Sequence, residues 1–399
     1  MRKTDKKQFM IFGSFSGSNA GDIAVLDNLI GRLEVLFPKS KYYIPTTTPA
    51  YFDNNECLQK YDIEPVTMER RKFAHGFFSL PLLIKIRKCD AVFTTANMLF
   101  DRYLFSPYRN LILSLLPALL FYRIFRRKAK IIATSVSITS PTSLLGKMVL
   151  RKVLKLHDIV TLRDSNSELV ASRLSKKIQL VGHYPDLTIG NHLENGTQEQ
   201  LPVIKRQDRK LVGINLSSYF SGELLVPDKE IMSGWLKFFS RLISTLEDSN
   251  EYKVIFIMTS STNEIIADEI SKIAARPIQK YGPGSYNYKE IRHLISQLDL
   301  YLSMRMHGAI FAFSAGVPCI GLCFTDKLKH FYSDYSLGEY RIDIGPTDYI
   351  ANNLLERLLD SIHNCIDMPI PKKELLKAKM ESYGTKQSEL FDLINEVLL

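Results

Sequence analysis

The sequence is poor in the residues that mark disulfide, metal and nucleotide chemistry. Only five cysteines occur in 399 residues, and Cys57, Cys89, Cys319, Cys323 and Cys365 are scattered and odd in number. That argues against a disulfide framework and for a reducing compartment, so a cytoplasmic protein is expected. Cys319 and Cys323 share one apolar run and read as buried thiols rather than metal ligands. No two aspartates stand two apart, and there is no H-E-x-x-H, Walker loop or G-x-S-x-G. Neither a metal site nor a bound cofactor is therefore expected. The charged start MRKTDKKQFM precedes an apolar run only a strand long, which is not a signal peptide. The most apolar stretch, LILSLLPALLFYRIF at residues 111–125, holds Pro117 and is too short to span a bilayer. Arg126, Arg127 and Lys128 follow it. It reads first as a buried helix, with a peripheral contact on acidic lipid at the inner face of a membrane as the alternative. No basic stripe with interleaved aromatics occurs, so nucleic acid is not an expected partner. The net charge of +10 suits smaller anionic ligands.

What the chain does contain centres on residues 299–330, DLYLSMRMHGAIFAFSAGVPCIGLCFTDKLKH. Residues 300–304 form a short apolar strand, and residues 308–315 an apolar segment of helical length. Gly316 and Pro318 stop that helix, and residues 319–324 suit a buried parallel strand. Arg305 and His307 thus fall where a strand ends and a helix begins, the place where open α/β sheets bind ligands. Lys327 follows the next strand on the same edge. No Asp or Glu occurs between residues 300 and 325. Cationic and protonatable side chains beside a helix N-terminus, with no carboxylate among them, describe a site for a small anion. Each residue alone reads first as a cap or a solvated turn; the set at matching strand ends carries the functional reading.

The pattern S-x-R-x-H-x-x-x-x-A-x-x-x-G-V-P, with Lys327 twenty residues after His307, resembles the C-terminal signature of the polysaccharide pyruvyl transferases. Three further patches match the same family. Gly13-Ser14-Phe15-Ser16-Gly17-Ser18-Asn19-Ala20-Gly21-Asp22 resembles its G-x-x-x-x-N-x-G-D loop, with Ile23 where an acidic residue is usual. R-D-x-x-S occurs at Arg163, Asp164 and Ser167, and Pro185-Asp186 resembles the family's closing D-P-A segment in altered order. The largest departure is at residues 95–101, TANMLFD, where the family commonly has glycines that allow close backbone approach to a ligand.

Read in order, the chain alternates strands with helix-length segments. A strand at residues 9–13 leads into the Gly/Ser loop and a helix marked by Val25, Leu26, Leu29, Ile30, Leu33 and Leu36. A helix at residues 165–174 has Leu169, Val170 and Leu174 facing in. The expected fold is α/β, with two Rossmann-like domains facing across a cleft in a GT-B-like architecture. Its C-terminal helices pack back on the first domain. The expected bounds are residues 1–195 for an acceptor-side domain and 196–210 for a linker. Residues 211–350 form a donor-side domain and 351–399 the terminal helices.

The resemblance implies transfer of a pyruvyl group from phosphoenolpyruvate to a saccharide, forming a cyclic ketal and releasing phosphate, in exopolysaccharide or cell-surface polysaccharide biosynthesis. Arg163, Arg305, His307 and Lys327 would bind the donor. Arg305, His307 and Lys327 would serve the chemistry, with His307 as general acid or as hydrogen-bond partner of the leaving phosphate. Asn19 and Asp22 would contact an acceptor saccharide, whether or not it is lipid-linked. Two other readings use the same fold: a metal-independent glycosyltransferase with a nucleotide-sugar donor, and a catalytically silent partner in polysaccharide assembly.

Overall fold

The computed structural model describes residues 6–68, 79–96, 99, 111–139, 141, 143–174, 180–189, 201–217, 228–351 and 353–399. The chain divides into two compact units. The first comprises residues 1–17, 22–187 and 384–399, and the second residues 18–21 and 188–383.

The strands of the first unit are β1 (Gln8–Phe12), β2 (Lys41–Thr46), β3 (Asp62–Thr67), β4 (Ala91–Thr95), β5 (Lys130–Val136), β6 (Ile159–Leu162) and β7 (Leu180–His183). They form one parallel sheet in the order β3-β2-β1-β4-β5-β6-β7. Its helices are α1 (Ala20–Leu36), α2 (Ala50–Asp53), α3 (Leu80–Ile86), α4 (Leu111–Phe125), α5 (Leu144–Leu156) and α6 (Ser165–Leu174). Because both faces are covered, the strands are apolar runs rather than alternating ones. On one face Met10, Val92, Ile131 and Val160 pack against Leu82 of α3, Leu119 and Tyr122 of α4, and Leu150 and Val153 of α5. On α1, Leu26, Leu29, Ile30 and Leu33 are fully buried, as their helical spacing predicts. On α6 the inward set differs from expectation: Val170 and Ala171 are buried, whereas Leu169 is 47% exposed.

The second unit holds β8 (Lys210–Asn215), β9 (Tyr252–Ile257), β10 (Lys280–Tyr281), β11 (Leu300–Ser303), β12 (Cys319–Cys323) and β13 (Arg341–Asp343). These also pair in parallel, in the order β10-β9-β8-β11-β12-β13. Its helices are α7 (Lys229–Asp248), α8 (Glu264–Ile273), α9 (Tyr288–Ser296), α10 (Met306–Ser314), α11 (Asp326–Asp334), α12 (Leu354–Ile366) and the start of α13 (Ile370–Leu398). Val212, Ile214, Leu300, Leu302, Ile320 and Leu322 face a layer containing Trp235, Phe239 and Leu242 of α7, with Leu358 and Ile362 of α12. Each such side chain contributes roughly 1.5–3 kcal/mol of transfer free energy. α7 starts sharply because the Asp228 carboxylate accepts from the Glu230 and Ile231 N–H groups.

Five strands escape the sequence reading, among them the four-residue β7, which reads in sequence only as part of the Pro185-Asp186 segment. β3 is an edge strand carrying Pro65, and its neighbour β2 carries Pro45; proline weakens any strand signal. β10 and β13 have two and three residues, too few to show a period. The linker expectation meets the described residues only in part, since residues 191–200 lie outside them. Residues 201–210 are held on the second unit: Ile204 is buried, its N–H donates to Gln297 Oε1 at 2.9 Å, and Arg206 pairs with Asp299 at 2.7 Å.

α13 belongs to the second unit up to Tyr383 and to the first from Gly384. Leu390, Phe391 and Ile394 are buried, and Gln387 Nε2 donates to the Asp186 carbonyl at 2.7 Å. Only the end of α13 thus belongs to the first unit; α12, expected to pack back with it, buries Leu358 and Ile362 in the core of the second.

Candidate functional site

In the second sheet the strand order reverses between β8 and β11. Ligands of open α/β sheets sit outside the strand C-termini at such a reversal. Three buried polar side chains mark this point. Asn215 ends β8, Ser303 ends β11, and Thr259 lies just past β9. Asn215 Nδ2 donates to Thr259 Oγ1 at 3.0 Å and lies 3.4 Å from Ser303 Oγ; the Thr259 N–H points back at Asn215 Oδ1 at 3.4 Å. Ser303 Oγ in turn accepts from the Arg305 N–H at 3.1 Å and donates to the Arg305 carbonyl at 2.9 Å.

This network sets the start of α10. Arg305 is its N-cap residue, in extended conformation with φ −116° and ψ 130°, and both its N–H and its carbonyl are bonded to Ser303 Oγ. The half-buried side chain therefore starts from a fixed point. His307 lies in the first turn, 5% exposed. Gly308 is required behind it: a Cβ there would stand 2.6 Å from Ser303 Oγ and 2.7 Å from Asn215 Nδ2. Farther along the helix, Phe311 carries the Arg292 guanidinium 5.4 Å from its ring centre, and burial lowers the pKa of that arginine.

Residues 18–21 of the Gly/Ser loop belong to the same unit. The Ala20 N–H donates to the Thr259 carbonyl at 2.9 Å, and the Ser261 N–H to the Ser18 carbonyl at 2.9 Å. Asn19 bridges Ser260 through the backbone, and its Oδ1 accepts from the Gly21 N–H at 3.0 Å. Gly21 then lies flat against His307. A Cβ on Gly21 would fall 2.0 Å from His307 Nδ1, so no other residue fits there without displacing the ring.

The structure thus brings Asn19, Arg305 and His307 to one edge of the second sheet. Lys327, half-buried, is the second residue of α11 after β12, which pairs directly with β11. Asp22 follows Gly21 on α1 and is counted with the first unit, 3% exposed. Asn97, in the departure from the family pattern, lies outside the described residues. Ala96 before it has φ +56°, a left-handed conformation that glycine adopts without strain, so the backbone keeps a glycine-like turn where the glycines are missing.

Arg163 is paired with a carboxylate. It lies in the first unit, 3% exposed, with NH1 2.6 Å from Asp186 Oδ2 and Nε donating to Ser137 Oγ. Ser137 Oγ donates to Asp164 Oδ2 at 2.8 Å, and Asp164 Oδ1 accepts the Ser167 N–H at 2.7 Å. His183 Nε2 meets the Arg163 carbonyl at 2.7 Å. The R-D-x-x-S and Pro185-Asp186 patches, read as separate motifs, are one buried network joining the ends of β5, β6 and β7. Asn215, Thr259 and Ser303 were missed in the sequence. Their one signal is a polar residue closing an apolar strand, which is common and weak.

The family model described as polysaccharide pyruvyl transferase matches residues 19–322, from the Asn19 loop to the end of β12. No protein of curated function matches the chain in sequence. Among solved structures the chain is similar to UDP-GlcNAc 2-epimerase from Neisseria meningitidis bound to UDP-GlcNAc (13% identity, 98% of this chain and 99% of that one, TM-score 0.61). It is similar too to MnaA of S. aureus in complex with UDP (14%, 98% and 97%, TM-score 0.63). A third is CalG4, the calicheamicin glycosyltransferase (12%, 100% and 99%, TM-score 0.50). At such identities these likenesses show the fold alone, two parallel-sheet α/β domains of the GT-B type.

Proposed function

This chain belongs to the polysaccharide pyruvyl transferase family, and we propose that it moves a pyruvyl group from phosphoenolpyruvate to a saccharide in cell-surface polysaccharide biosynthesis. The observation that carries the donor assignment is the edge formed by Arg305, His307 and the start of α10, in a run without carboxylates. Phosphoenolpyruvate carries close to three negative charges near neutral pH, given a second phosphate pKa of about 6. Arg305 grips carboxylate or phosphate through its planar fork, Lys327 adds charge, and the first N–H groups of α10 complete an anion cradle.

In the reaction one sugar hydroxyl adds to C2 of the enol while C3 gains a proton and becomes a methyl group. The hydroxyl proton is lost to base. A second hydroxyl then attacks C2 and gives up its proton, the C2–O bond to phosphate breaks, and phosphate leaves with its electron pair and takes up that proton, its charge held by the cations. His307 is the general acid for C3 or hydrogen-bonds the leaving phosphate. Gly21, pressed on Nδ1, fixes the plane of the ring. Asn19 and Asp22 are assigned to acceptor hydroxyls. An Asp22→Asn variant with unaltered acceptor KM and kcat would remove Asp22 from that role. Arg163 is assigned to holding the first unit together, because an arginine already buried on a carboxylate has little charge left for a donor.

A second reading has a specific support: two of the similar structures hold UDP or UDP-GlcNAc. In that reading the anion cradle takes the diphosphate of a nucleotide sugar. Melting of the purified protein separates the two. Phosphoenolpyruvate at a hundred times its Kd stabilises by about 2.7 kcal/mol. A rise in Tm with phosphoenolpyruvate that Arg305→Ala abolishes supports the pyruvyl donor; a rise only with UDP-sugars overturns it.

A further inference from the structure

The helices α3, α4 and α5 cover one face of the first sheet, and none of them contains an Asp or Glu. Their outward positions combine two features that soluble surfaces usually keep apart. The first is exposed apolar bulk. Leu144, Leu145 and Met148, on the first turns of α5, are 77%, 49% and 60% exposed. Ile124 and Phe125, at the end of the adjacent α4, are 67% and 52% exposed. The second is positive charge. Lys147, Arg151, Lys152 and Lys155 are exposed on α5, and Arg127 and Lys128 directly after α4.

α5 is anchored from beneath, so its outer face is presented as a rigid whole. Leu150, Val153 and Leu154 are fully buried against the sheet. The first turn is capped by Ser143, whose side chain accepts from the Gly146 N–H at 3.0 Å. Gly146 sits so close to Pro141 that a Cβ would be 2.7 Å from its ring. The leucines next to Gly146 are therefore held outward by the cap and the proline rather than turned in. A preformed helix with aliphatic side chains at one end and cations along the rest suits the boundary of a lipid bilayer. Aliphatics enter below the headgroups there, and cations meet anionic phosphate. The outward charges on α3, α4 and α5 are all positive, and the nearby Asp90 and Asp158 are paired with Arg126 and Arg123; the excess of one sign favours a surface of opposite charge.

We propose that the α4–α5 face docks this protein onto anionic phospholipid. The inference deepens the proposed function in one respect, the place where a lipid-linked saccharide would be met. It is tested without any substrate, so its failure leaves the donor assignment standing.

The test is co-sedimentation of the intact protein with phosphatidylglycerol vesicles and with phosphatidylcholine vesicles, at low and high salt. The expected result is binding to the anionic vesicles only, weakened by salt. Each cation near the surface is worth roughly fivefold in partition. The doubly exposed pair Arg151→Glu and Lys152→Glu should thus lower partition by more than tenfold, with Tm unchanged. Leu144→Ser with Met148→Ser should lower it as well without altering charge. Wild-type protein that stays off anionic vesicles overturns the proposal, as does equal binding by both variants. A wild-type dimer that Leu144→Ser with Met148→Ser converts to a monomer also overturns it, because the face then belongs to a second copy of this chain.

Discussion

His157 offers a test of the first unit that is independent of any substrate. It sits at the end of α5, 5% exposed, with Nδ1 2.9 Å from the Val153 carbonyl and Nε2 2.9 Å from Thr94 Oγ1. A carbonyl only accepts, so Nδ1 carries the proton, and Nε2 accepts from the threonine hydroxyl. Burial pushes the pKa down to about 4; the Val153 hydrogen bond and Asp158 oppose this weakly. In the unfolded chain the ordinary value is about 6.5. Between those two values the unfolded chain binds a proton that the folded one refuses, so stability is complete above pH 6.5 and falls as pH drops toward 4. Linkage across that window gives a loss of about 2 kcal/mol between pH 7 and pH 5. For a unit of this size that is roughly 4–8 °C in Tm. His157→Gln keeps a polar group facing Thr94 and removes the titration. Thermal melts followed by circular dichroism at pH 7 and pH 5 should show the variant less stable at pH 7 but less sensitive to acid, by that 2 kcal/mol. Equal acid sensitivity in the two proteins would refute the buried neutral imidazole.

Three further outcomes follow from the geometry. His307→Ala should lower kcat by about 10²–10⁴ while leaving the phosphoenolpyruvate-induced rise in Tm largely in place; near-normal turnover removes His307 from the chemistry. Gly21→Ala drives a methyl group into the His307 ring and should cut kcat at least tenfold, with a smaller change in Tm; unchanged kinetics would show that the ring has room to move. Asp186→Ala leaves the Arg163 guanidinium buried without that carboxylate and should cost about 3–5 kcal/mol of stability, read as a fall in the urea midpoint. Arg163 acting on the donor instead would leave the midpoint in place and raise the phosphoenolpyruvate KM.

The contrast between Arg163 and Arg305 shows where sequence reading stops. Both follow a short parallel strand and precede a helix, and both match family patches. Arg305 is held through its backbone by Ser303, at the start of the helix. Arg163 is held through its guanidinium by Ser137 and Asp186, partners on other strands and loops. Which atoms of an arginine are engaged depends on what the fold carries past it. The same limit applies to α4, read as a buried helix: Leu119 and Tyr122 are buried, yet Ile124 and Phe125 emerge on the surface.

Local sequence determined the alternation of strands and helices and the carboxylate-free edge around Arg305 and His307. Period, caps and turn residues are properties of neighbours in the chain, so they are legible without a structure. Only the tertiary structure decided that residues 18–21 lie with Thr259 and His307, that Asn215 and Ser303 set the start of α10, and that the R-D-x-x-S patch is a buried brace. Those contacts join residues far apart in sequence, and they exist because packing leaves each buried polar group one place to find a partner.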